Sequence, residues 1–170
     1  MKARIILGLI MIITISSCSS SKKTSKKGET PEKVAVNDGH SSSIYIPEEL
    51  RHLYLGMPFK EFFSQYQAVS VSEIMQFRKS VVLKNYSDKI KELTLYFDNE
   101  GTFPLYEFII DYKDVAERDK VINELYGKPN FKEKEWEFDS EEGYPVRVWT
   151  FENKIIVAGF MAGTEWEGEE

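Results

Sequence analysis

The sequence predicts an α+β domain in which two amphipathic helices pack on an antiparallel sheet. Three observations predict it. Apolar residues recur at helical spacing in two stretches, around 58–67 and 115–126. Between and after these stretches, short runs alternate apolar and polar residues with the two-residue period of strands. Turn clusters and glycine–proline punctuation separate the runs. The chain has 170 residues, and the region 47–170 is the length of one domain.

The first 18 residues carry a different signal. Lys2 and Arg4 precede an apolar run from Ile5 to Ile15. That run has the length of a secretory h-region, roughly 7–15 residues, and is short for a membrane span of about 20. It ends in Ile15-Ser16-Ser17-Cys18. An aliphatic residue, two small residues and a cysteine resemble the lipobox of bacterial lipoproteins. The resemblance implies removal of residues 1–17 and lipidation of Cys18, and so a membrane anchor without a span. The plain reading of Cys18 is a free thiol beside an ordinary signal peptide. It is the one cysteine of the chain, so no internal disulfide is available. Ser19 and Ser20 offer no acidic sorting residue, which under the same resemblance points to the outer membrane of a double-membraned cell.

Residues 18–46 read as a flexible tether, rich in serine and lysine and poor in large apolar groups. A polar coil of this length reaches on the order of 30 Å. Lys22, Lys23, Lys26 and Lys27 either touch anionic headgroups or are simply solvated. Beyond the tether the body holds 15 basic and 25 acidic residues, a net −10. Such a charge repels phosphate backbones, so the expectation is no nucleic acid; it suits a basic protein partner or mere solubility.

In the body, Pro47 to Leu53 suggest a short turn. The first helix is expected from Pro58, at the first helical position, to Gln67. Phe59, Phe62, Phe63 and Tyr66 share one face of it. Three strands should follow. Ile74 to Asn85 is the least regular. Leu93, Leu95 and Phe97 alternate in the second, and Tyr106, Phe108, Ile110 and Tyr112 in the third, with a turn at Asp98–Gly101 between them. The second helix is expected over Val115–Tyr126. Asp114 and Glu117 have capping-box spacing, Val121, Ile122, Leu125 and Tyr126 form the stripe, and Gly127 and Pro129 stop it. Three more strands are expected at Glu133–Phe138, Val146–Phe151 and Lys154–Phe160, with a hairpin at Glu152-Asn153.

Helix, three strands, helix, three strands suggest a tandem repeat. At an offset of 59 residues Phe62, Phe63 and Tyr66 align with Val121, Ile122 and Leu125, while Arg118 falls opposite Phe59. Leu55-Gly56-Met57 opens the first helix and Leu125-Tyr126-Gly127-Lys128-Pro129 closes the second. With these motifs the body resembles the small lipoproteins related to a subunit of the outer-membrane β-barrel assembly machinery. Two such units in tandem resemble the β-lactamase-inhibitor-protein fold. Pro58 departs from the Ser or Thr cap usual there. The resemblance implies a binding or assembly role and transfers no functional residue.

The catalytic inventory is thin. His40 falls in the tether and His52 before the first helix, with no nucleophile motif around either. Phosphate-loop, zinc-pair and EF-hand patterns are lacking. The acidic run Glu133, Glu135, Glu137, Asp139, Glu141 and Glu142 could bind a hard cation or run a hydrolase, or form a solvated face guarding an edge strand. Arg147 and Trp149 alternate with Val146 and Val148. If the valines are buried, Arg147 and Trp149 point outward as a cation–π or partner-binding pair; if Trp149 is buried, Arg147 must snorkel. The acidic end from Thr164 is expected to fray, with Trp166 packing back or anchoring a partner. The expectation is a non-catalytic envelope lipoprotein, without cofactor or metal, that binds the membrane through Cys18 and a protein partner through its body. The alternative is an envelope hydrolase or cation-binding protein built on the 133–142 carboxylates.

Overall fold

The computed structural model describes residues 40–66 and 71–168. Cys18, the expected leader, the expected tether up to Gly39 and the expected helix end at Gln67 lie outside the described residues. The architecture is α+β, with the sheet dominant. Helix α1 spans Phe59–Gln65 and α2 spans Val115–Leu125. Seven strands form one antiparallel sheet: β1 (Val71–Met75), β2 (Arg78–Lys84), β3 (Ile90–Asp98), β4 (Leu105–Tyr112), β5 (Glu135–Asp139), β6 (Pro145–Phe151) and β7 (Lys154–Gly159). Their spatial order is β1-β2-β3-β4-β7-β6-β5. The run 74–85, expected as one strand, is thus two, turned at Gln76 and Phe77.

Alternation sorts the sheet into two faces. Val81, Leu95, Phe108, Val157, Val148 and Trp136 form one register row across six strands. All six are buried, and with Leu93, Ile110 and Ile155 they make the floor of the core. The helices cover this face. Phe62 of α1 is fully buried and meets Phe97 at 5.2 Å between ring centroids. In α2 the stripe Val121, Ile122 and Leu125 is half-buried against the same core. Its punctuation follows the sequence: Asp114 accepts from the Ala116 N–H at 2.7 Å, and Gly127 takes the left-handed conformation at φ 65°. Pro58 sits one residue earlier than expected, as the extended N-cap of α1.

Two further departures have clear causes. Tyr106 leaves the Phe108–Ile110–Tyr112 face, because β4 carries an extra residue where Tyr96 opposes Glu107 and Phe97 opposes Leu105. Residues 40–46, assigned to the tether, pack on the body. Ser41–Tyr45 form a 3-10 turn, Ser42 and Ile46 are fully buried, and His40 stacks on Tyr54 at 3.5 Å. Glu142 accepts from the Ser41 hydroxyl and the Ser42 N–H. Partial burial pushes the Glu142 carboxyl up, but these hydrogen bonds outweigh it and hold the group below its ordinary range.

Candidate functional site

Among the described residues the other face of the sheet carries no helix, and the side chains that alternate outward decide its chemistry. One register row reads Ser80, Tyr96, Glu107, Ala158, Arg147 and Glu137. The next reads Val82, Thr94, Ile109, Ile156, Trp149 and Glu135. Strand spacing of about 4.8 Å makes the second row a largely apolar strip some 20 Å long. Val146 and Val148 are fully buried, so Arg147 and Trp149 do lie on the outward face.

Arg147 is firmly held there. Its Nε donates to Glu137 at 2.6 Å, and its guanidinium lies 4.6 Å from the Phe131 ring and 4.3 Å from the Phe160 ring. It is a clamp between rings and a carboxylate. Arg147→Lys keeps the charge but loses the planar stack. It should cost about 1–2 kcal/mol in chemical denaturation, with little change of slope.

Over the first row lies the segment Met161–Gly168, although the chain from Thr164 was expected to fray. Thr164 is buried, and Trp166 stacks on Phe160 at 5.5 Å and meets Trp149 edge-on at 5.6 Å. The Trp166 indole N–H donates to Glu107 at 2.9 Å. Beside it, Arg78 donates to both oxygens of Glu165 at 2.8 and 3.1 Å, and the Tyr106 hydroxyl donates to the same carboxylate at 3.1 Å. Arg78 also rests 4.0 Å over the Tyr96 ring. The segment is a strap: Met161 joins the core cluster and Thr164 is buried, while the adjacent Glu165 and Trp166 fasten it to the outer face.

Glu107 is the unusual group. It is only 4% exposed, and burial pushes its carboxyl up to about 7. The Trp166 N–H and Arg78 oppose that rise, while Glu165 adds to it. Next to the strap an open groove of about 590 Å³ remains, with Ile109, Ile156, Trp149 and Phe151 among its apolar walls and Lys154 at its edge. That volume lies in the range of ligand sites. Phe151 is 61% exposed.

The other sequence candidates do not converge. Glu135 pairs with Lys132, Glu137 with Arg147, and Glu142 with the 3-10 turn, so the 133–142 carboxylates are dispersed. Among the described residues no group of three His, Cys, Asp or Glu could hold a metal ion. His52 hydrogen-bonds the Tyr66 hydroxyl, with Tyr86 at 3.4 Å, and burial lowers its pKa. It packs between Tyr66 at the end of α1 and Tyr86 beyond β2. Sequence reading missed Arg78, Glu107 and Glu165. Glu107 had one detectable signal: a charge inside the otherwise apolar start of β4.

Comparison with family models, with curated proteins and with solved structures finds no match for this chain.

Proposed function

We propose that this protein is an envelope lipoprotein, lipidated at Cys18 after loss of residues 1–17, whose body is a non-catalytic protein-binding module of the assembly or inhibitor kind. The observation that carries the reading is the helix-free face of the sheet. It presents Trp149, Phe151 and Trp166 around an open groove, the side-chain types that dominate binding hot spots. The topology supports a tandem unit: each helix precedes a meander, β2-β3-β4 or β5-β6-β7, and the final strands β4 and β7 pair. The extra strand β1 extends the first unit. Among the described residues no helix is long and apolar enough to cross a membrane, so in this reading the anchor is the lipid. The net −10 of the body favours a protein partner over nucleic acid.

Two experiments test the reading. Metabolic labelling with a fatty acid should mark the protein, and Cys18→Ala should abolish the label; equal labelling of the variant sinks the anchor. Affinity capture from the native envelope should recover a partner with the wild-type chain. Trp149→Ala, on an outward position, should reduce recovery about tenfold or more, as expected of an interface anchor. Undiminished recovery would remove Trp149 from the interface.

A further inference from the structure

The strap itself shows what chemistry the outer face recognises. Glu165 enters a basic seat built from Arg78 and the Tyr106 hydroxyl, with Tyr96 beneath the guanidinium. Trp166 enters an aromatic seat of Phe160 and Trp149, its N–H fixed by the Glu107 carboxyl. Among the described residues, the backbone hydrogen bonds of 161–168 stay within the strap, Thr164 to Met161 and Glu167 to Thr164. Its grip on the sheet is therefore made by side chains, which another chain can supply.

We propose that this face is a receptor for a turn-forming partner segment bearing a carboxylate followed directly by tryptophan, and that the strap holds the receptor in the unbound protein. The proposal rests on the protein-binding reading above and names the partner's motif. Charge complementarity selects it. Arg78 at the seat meets the carboxylate, and Lys154, which has no ion-pair partner among the described residues, lies at the edge of the same groove for a further acidic contact. Against a body of net −10, affinity must come from these short-range contacts rather than from long-range steering. The strap competes at the high effective concentration of an attached ligand, on the order of millimolar. A partner segment must therefore bind tightly, or engage the groove as well, to displace it.

The probe is a fluorescent synthetic peptide with the sequence of residues 161–168, titrated against the full chain in detergent. The double variant Glu165→Ala, Trp166→Ala should bind it about tenfold or more tightly than the wild type, because the competing strap is disarmed. The same peptide with its tryptophan changed to alanine should not bind. Glu165→Gln alone, which leaves Trp166 in place, carries the test at smaller amplitude if the double variant does not fold. Absence of binding by a variant that still melts cooperatively overturns the proposal. So does equal binding of the tryptophan-free peptide, or a strap-dependent dimer, which would make the occupant a second copy. If peptide binding fails while envelope capture through Trp149 persists, the motif falls and the binding reading stands. If capture fails while the peptide binds, the reverse holds.

Discussion

Glu107→Gln makes the protein more stable above pH 7 and leaves its stability unchanged below pH 4.5. The sign follows from linkage. The folded-state pKa of Glu107 is raised from 4.5 to about 7, so the native state holds the proton more tightly than the unfolded chain. Its favourable contribution is complete below pH 4.5, shrinks as pH rises through the folded value, and is gone above it. Glutamine is neutral throughout and still offers an oxygen to the Trp166 N–H. The gain therefore grows from nothing at pH 4 to a ceiling of about 3 kcal/mol at pH 8. Urea midpoints of the two proteins at both pH values measure it. Parallel curves would mean that Glu107 titrates alike in the folded and unfolded chains, and hence that the strap does not seal it.

Phe62→Ala should be the most damaging substitution in α1, at about 3–5 kcal/mol. Phe62 is fully buried, packed on Phe97 and stacked on Tyr66 at 4.8 Å. Its neighbour Phe63 is 36% exposed and meets Phe59 at 5.6 Å, so Phe63→Ala should cost about 1 kcal/mol or less. A single domain has a total stability of about 5–15 kcal/mol, so the first change brings the protein close to unfolding at ambient temperature. Cooperative thermal melts of the two variants check the contrast. Equal losses would mean that both rings are buried alike.

That contrast also marks how far the sequence could be read. The helical stripe Phe59–Tyr66 was legible, but spacing gives equal weight to Phe62 and Phe63; only the position of Phe97 across the core separates them. Helix punctuation was the most legible feature, since Asp114 and Gly127 act through the few residues beside them. Alternation placed Leu93, Leu95 and Phe97 correctly and put Trp149 opposite Val148. It misassigned Tyr106, because a bulge shifts the phase in one strand and leaves no mark in the two-residue pattern. It also merged β1 with β2, whose turn at Gln76-Phe77 lacks glycine and proline. The strap was half legible: Trp166 packing back was one of two readings, but the tail around it was expected to fray. A short acidic tail reads as solvated, and what holds it are pairings of Glu165 with Arg78 and of Trp166 with Glu107, residues far apart in the chain. No local rule connects such positions. The same holds for 40–46, where the partner of Ser41 and Ser42 is Glu142.

Site-specific photo-crosslinking in the native envelope tests most directly whether the helix-free face is the working surface. A photoreactive residue replaces Phe151, exposed beside the groove, or Val115, 44% exposed at the start of α2 on the helix-covered side. The account predicts one discrete protein adduct from position 151 and none from position 115. It also predicts that the 151 adduct is lost when Trp149→Ala is added. An adduct formed only from position 115, or from both positions regardless of Trp149, would contradict it.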